Sequence, residues 1–324
     1  MHMTKIRLVL TIAAIASMAV AVSAPARADV QLHTFQAGER ARAADVNGNF
    51  NNLKIAVEAA ERRNAELTGR IRDLEAAIAN LRGLNGVLSI ETINGAKTVR
   101  LSGVNLQVVN GLNRTESING TGNVIIGYDE PNTFTTKPIC SRATATNGAL
   151  LATEAACLAS GGVFSTQHKS GSHNLVLGTA NGYSSAGGMV GGRFNYINEV
   201  FATVVAGVDN RASGRFSAIV AGQGHSTLES AAILGGIGNQ ATARNSVIVG
   251  GVGNLASGEN STIGGGERNI ASGRTATVAS GLLNTASGER ATVAGGRNNV
   301  ASGEQSAVFG GERRSATATN QSVP

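Results

Sequence analysis

The chain of 324 residues contains no tryptophan, only 3% aromatic residues and only 15% charged residues. Large rings supply much of the area buried in an ordinary core, so this chain buries modest apolar area however it folds. Its two cysteines, Cys140 and Cys157, are too few for a disulfide-built scaffold and leave a single pairing. Among His33, His168, His173 and His225 no two fall at metal-ligand spacing. Between residues 178 and 311 the only aspartate is Asp209, whereas calcium-driven β-roll repeats carry one in every short repeat. No serine has the local context of a catalytic nucleophile, and no carboxylate pair recurs. Leu8–Val22 is the one long apolar run, too short to span a bilayer. An enzyme, a cofactor-dependent protein and an integral membrane protein are therefore not expected, and no catalytic, cofactor or metal residue is assigned.

What the chain does have is glycine at a fixed interval: Gly178, Gly192, Gly207, Gly222, Gly236, Gly251, Gly266, Gly281, Gly296 and Gly311, spaced by 14 or 15 residues. Three residues before each sits an apolar residue, in the column Leu175, Met189, Val204, Ile219, Ile233, Ile248, Ile263, Val278, Val293 and Val308. Three residues after sits asparagine, including Asn239, Asn254, Asn269, Asn284 and Asn299, except for His225 and, after Gly311, Arg314. A fixed short period means stacked structural repeats. Such a repeat is too short for a helix and a strand together, but it holds two short strands and their turns, one coil of a β-solenoid. In Ser246-Val247-Ile248-Val249 alternation sends Ser246 and Ile248 to one face and Val247 and Val249 to the other. The glycine pair that follows supplies a turn tolerant of positive φ. Ten coils at roughly 4.8 Å give a stack of roughly 45–50 Å. Asparagines in register are expected to form amide ladders along it. A second column, Arg215, Glu229, Arg244, Glu259, Arg274, Glu289 and Glu304, alternates in sign over its first six members. Opposite charges on neighbouring strands contribute ~0.2–1 kcal/mol per pair. Gly251-Val252-Gly253-Asn254-Leu255-Ala256 imitates a dinucleotide fingerprint, but it precedes no helix and is the repeat itself.

The pattern S-x-V-x-G-G-x-x-N-x-A-S-G resembles the head repeats of trimeric autotransporter adhesins of the YadA type, over about 135 residues. That resemblance implies a left-handed parallel β-roll and the packing of three rolls into a homotrimer. It does not extend to the family's C-terminal membrane anchor, a helix followed by amphipathic strands, so an exported but unanchored protein is expected.

Residues 1–28 read as a secretory signal peptide, with Lys5 and Arg7, the apolar run, and Ala26-Arg27-Ala28 at the cleavage site. Its removal lowers the formal net charge from +6 to +3, by loss of Lys5, Arg7 and Arg27. A value so small, with both signs mixed throughout, is no nucleic-acid footprint. After a mature N-terminal segment, 29–49, residues 50–83 read as a coiled coil. Phe50, Val57, Asn64, Ile71 and Ile78 fall at a, and Leu53, Ala60, Leu67, Leu74 and Leu81 at d. Val57, Asn64, Leu67, Ile71, Leu74, Ile78 and Leu81 are assigned to trimerisation, with Asn64 fixing register and Arg70 reaching Glu75 of a neighbouring helix. Isoleucine at a with leucine at d leans toward two strands, while the resemblance implies three.

Residues 84–127 read as a β-rich neck. Two strands flank the hairpin signal Asn94-Gly95, and Gly122–Gly127 forms an outlying copy of the repeat strand. The insertion 128–170 carries a disulfide expected between Cys140 and Cys157 and a helical turn at Thr153–Cys157. It is a candidate binding loop through Tyr128, Phe134 and Phe164. The roll spans 171–314, its core formed by Ile219, Ile233, Ile248, Ile263, Val278, Val293 and Val308, and 315–324 is expected to be a frayed tail. The expected function is multivalent attachment of a secreted or surface-associated fibre to a host, matrix or bacterial surface, in the extracellular space, at the cell surface or in the periplasm. The alternative is a structural spacer in a surface or phage-tail-like assembly. An ice-binding role for Thr203, Thr262, Thr277 and Thr292 is disfavoured by the interruptions Ala218, Ala232 and Val247.

Overall fold

The computed structural model describes residues 30–82, 84, 86–131, 138–142, 153–165 and 168–324. Residues 1–28, read above as a signal peptide, and Gly83 and Phe134 lie outside the described residues. The chain divides into two compact units, residues 1–106 and 107–324.

The first unit is built on helix α1, Ala43–Arg82. It begins seven residues before the heptad reading placed it, because the same spacing continues backwards through Ala43 at a and Val46 at d. The preceding extended segment is tied to its first turns. His33 N donates to Asn49 Oδ1 (2.6 Å), Asn49 Nδ2 returns a bond to His33 O (2.9 Å), and Asn52 Nδ2 donates to Gln31 O (2.8 Å). Strands β1, Leu88–Ile93, and β2, Ala96–Leu101, pair antiparallel. Asn94 and Gly95 both take positive φ, 52° and 82°, as the two-residue turn with Asn-Gly requires. This hairpin is a two-stranded sheet of its own.

The second unit is a parallel β-solenoid of about ten turns, and the chain as a whole is mainly β. Among the described residues one sheet has twelve strands, from β3, Val124–Ile126, to Ser322–Val323; the other has ten, from Gly182–Tyr183 to Ser315–Ala316. Each strand pairs in parallel with the equivalent strand of the next coil, for example Val247 with Thr262 and Ile248 with Ile263. The outlying copy joins the stack: Val124, Ile125 and Ile126 pair with Leu175, Val176 and Leu177 across the intervening insertion.

The expected alternation holds. Ser246 and Ile248 point inward, and Val247 and Val249 outward. Ile219, Ile233, Ile248, Ile263, Val278, Val293 and Val308 are all fully buried, facing an alanine column from Ala241 to Ala316 on the opposite sheet. Only small residues fit there because the two sheets of one narrow coil lie close together. Each isoleucine or valine contributes roughly 1.5–3 kcal/mol by burial.

Two features depart from the sequence reading. In the first coils the core positions are Val176 and Val190, not Leu175 and Met189, which take the outward register. Those coils have one residue fewer between strand and glycine, so counting back three lands on the wrong face. Residues 315–324 are not a frayed tail. Ser322 and Val323 pair with Ala307 and Val308, and Asn320 N donates to Glu304 O (2.8 Å), so the tail is one more coil.

Thr227 stands at an inward position of the ten-stranded sheet that is otherwise mostly alanine. It is fully buried, and its hydroxyl has no hydrogen-bond partner among the described residues. Thr227→Val keeps the shape and removes the unsatisfied group, and should raise stability by about 1–2 kcal/mol. A thermal midpoint unchanged or lowered would count against this account.

Candidate functional site

The asparagine column is the most ordered polar feature of the solenoid, and its chemistry differs from the expected amide-to-amide ladder. Each side chain bonds to backbone instead. Asn254 Oδ1 accepts from the backbone N–H of Asn269 (2.9 Å), while its Nδ2 donates to Gly250 O in its own coil and Gly266 O in the next (both 3.0 Å). Asn239, Asn269, Asn284 and Asn299 repeat this arrangement, and Asn299 Oδ1 ends the column on Arg314 N (2.8 Å). The amide sits inside the turn, where peptide groups left unpaired by the glycine corner need partners, and one Asn supplies an acceptor and two donors.

The column begins on a residue that the spacing did not mark. Asp129 Oδ1 accepts from Asn181 N (3.0 Å), and its Oδ2 lies 2.9 Å from Lys169 Nζ, which also donates to Asp129 O. Asp129 is almost wholly buried. A carboxylate can end the ladder because Lys169 compensates its charge. The available signal was an acidic residue just after Gly127, the glycine of the outlying copy.

The insertion 128–170 is anchored at several points to the roll. Strand β4, Ile139–Cys140, pairs antiparallel with β5, Phe164–Ser165; between them lies helix α2, Glu154–Ala159. Thr153 caps that helix by accepting from Ala156 N (3.2 Å). The disulfide Cys140–Cys157 joins strand to helix with Cα atoms 5.5 Å apart, both sulfurs buried. Phe164 packs against this disulfide, so it serves as core of the insertion, not as a presented ring. Bonds that dock the insertion include Ser184 Oγ to Ser141 O (2.6 Å), Asn198 Nδ2 to Cys140 O (3.4 Å) and Thr179 Oγ1 to Glu130 Oε2 (2.7 Å). Tyr128, at its base, is 94% exposed.

The charged column closes in only one stretch: Arg274 lies 3.9 Å from Glu259 and 3.3 Å from Glu289. Arg215 instead reaches Glu116 (3.3 Å), in the segment that covers the first coils, and lies over the Phe216 ring (4.9 Å). All these groups are exposed, so each pair is worth under ~1 kcal/mol. Glu199, Glu229, Arg215 and Arg244 line a shallow groove of mixed charge.

The remaining perturbed groups are structural. Burial pushes the Tyr196 phenol up to about 12, raises Tyr183 and lowers Arg211. His168 is buried edge-on to Tyr196. The His173 ring bridges Asn110 N (3.1 Å) and Thr115 O (2.8 Å), fixing the loop over the first coil.

On α1 the residues assigned to trimerisation are uncovered in the single chain. Val57 and Ile71 are each 54% exposed, and Asn64, Leu67, Leu74, Ile78 and Leu81 are exposed as well. No group of three or more metal-ligating side chains occurs among the described residues, and no helix among them is long and apolar enough to cross a membrane. A scan of protein-family models and a search of curated proteins found no match to this chain.

Proposed function

We propose that the chain is a non-enzymatic, exported fibrous protein of adhesin-head type, a homotrimer attaching through many weak contacts to a host, matrix or bacterial surface. The observation that carries this reading is the exposed heptad stripe of α1. A 40-residue helix with Val57, Leu67, Ile71, Leu74, Ile78 and Leu81 all facing water is not stable alone. Helices in folded proteins draw most of their stability from burying such a face. Hairpin β1–β2 adds an uncovered apolar face of Leu88, Ile90, Val99 and Leu101, and two-stranded sheets are marginal by themselves. Further copies of the same chain cover both. Three is the number implied by the resemblance of the repeats to YadA-type heads, which also implies the left hand of the roll and its coil of 14–15 residues. A roll repeated three times multiplies each weak surface contact into avidity.

Light scattering on the chain without residues 1–28 tests this. A mass of three chains is expected; a monomer would remove the basis of the reading. Retention of that trimer on cell or matrix surfaces is the second expected result, and its absence would leave a spacer.

The spacer reading is favoured by the docked insertion, which holds Tyr128 in the open at one fixed place. Deletion of residues 131–167 leaves Asp129 and Lys169 at the ladder's end. Attachment that survives the deletion belongs to the roll, whereas assembly lost with it belongs to the insertion.

A further inference from the structure

We propose that His225 is an acid-sensitive joint in the solenoid: a neutral ring carries the ladder from one coil to the next, and a protonated ring breaks it. The ladder runs through Asn181, Asn195 and Asn210, then His225, then Asn239 to Asn299. His225 N donates to Asn210 Oδ1 (3.0 Å), as an asparagine there would. On the other side Asn239 N donates to His225 Nδ1 (3.1 Å). That bond requires a lone pair on Nδ1 and therefore places the neutral ring's proton on Nε2. An amide oxygen is an acceptor at every pH, whereas an imidazole nitrogen is an acceptor only in the neutral ring. Protonation puts a second N–H against the Asn239 N–H, so an attraction becomes a repulsion at one rung of the column.

The surroundings offer the imidazolium little. The ring is 1% exposed. Nε2 is directed toward the Gly236 carbonyl but makes no well-formed hydrogen bond among the described residues. In its own coil Gly222 leaves the ring its space, since a Cβ there would lie 2.2 Å from Nε2. The groups against it from the coils on either side, Asn210, Gly236 and Asn239, are uncharged. The charged groups flanking Asn210 are Asp209 and Arg211; Arg211 N donates to His225 O (2.8 Å), and Arg211 Nε is engaged by Ser213 Oγ (3.0 Å). Consistent with this, burial holds the ring's pKa below its usual 6.5, the nearby Gly236 carbonyl opposing but not cancelling it.

The sign follows from linkage. The folded pKa is depressed, so the unfolded chain binds the proton more tightly. The joint's contribution is fully present above the unfolded value and is lost as pH falls from there through the folded value. The ladder would then consist of two blocks, Asp129 to Asn210 and Asn239 to Arg314. This reading is independent of what the fibre attaches to.

Site-resolved amide hydrogen exchange on the full chain, at about pH 7.5 and about pH 5 with intrinsic rates removed, tests it. Protection of Asn239 N–H relative to Asn254 N–H should fall about tenfold or more on acidification. His225→Asn, which restores the residue used at the other rungs, should abolish that change. An unchanged ratio in the natural chain would overturn the proposal, and so would the same fall in His225→Asn.

Discussion

Gly251→Ala will destabilise the solenoid by about 4 kcal/mol, while Gly250→Ala, one residue earlier, will leave it unchanged or slightly more stable. A Cβ on Gly251 would lie 2.0 Å from Gly266 O and 2.6 Å from Asn254 Nδ2, at φ +90°. Neither neighbour can retreat. Gly266 O already accepts from Asn254 Nδ2 and from Val252 N, and Gly266 itself stands in the same relation to Gly281. Left-handed backbone costs a residue with a Cβ roughly 1–2 kcal/mol, overpacking about 1–3 kcal/mol more, and displacing Asn254 weakens a buried hydrogen-bond set besides. At Gly250 a Cβ would meet nothing within 4 Å and φ is not in the left-handed range. There alanine mainly restricts the unfolded chain, worth about 0.4–1 kcal/mol in favour of folding. Denaturant unfolding of the two variants beside the natural chain decides the matter. Equal effects would mean that glycine at these corners serves flexibility and not close approach.

That contrast also marks how far the sequence could be read. The repeat exposed the strands, the core column from Ile219 to Val308 and the special role of one glycine per coil, because a stacked fold must place equivalent residues over one another. The Asn94-Gly95 turn, the Thr153 helix start and the only cysteine pair were legible for the same kind of reason: each is decided locally. What the pattern could not give were relations that break it. Val176 and Val190 displaced Leu175 and Met189 because two early coils are shortened on one side of the glycine. Asp129 and Lys169 close the ladder from either side of a long insertion, so no fixed offset marks them. Phe164 looked presentable in sequence but turned inward because the Cys140–Cys157 bridge offers it an apolar surface to pack on. The last ten residues lack the glycine and asparagine of the repeat, yet they retain Ser315-Ala316 and Ser322-Val323 at strand positions, and the exposed edge of the previous coil is enough to order them.

The ladder itself gives the second large effect. Asn254→Asp should cost about 3–5 kcal/mol near neutral pH, as expected for a buried charge without a partner, although it replaces one NH₂ by one oxygen. Oδ1 and its bond from Asn269 N survive. The other position, which donated to Gly250 O and Gly266 O, becomes an acceptor facing two carbonyl oxygens. The native chain contains the control. Asp129 places a carboxylate at the end of the same ladder, where its second oxygen meets Lys169 Nζ at 2.9 Å. Among the described residues no such cation stands at the middle rungs, so the same group there is unpaired. Its folded pKa would be raised above the unfolded value. The stability of the Asn254→Asp variant should therefore improve as pH falls, when the protonated acid regains one donor, and decline as pH rises through the folded pKa. Asn254→Ala should lack that pH dependence, because it removes the bonds without adding a charge. Urea unfolding of the two variants at about pH 4.5 and about pH 7.5 separates the cases. If both lose the same stability with the same pH profile, the column acts as spacer packing and not as the hydrogen-bonded spine of the stack.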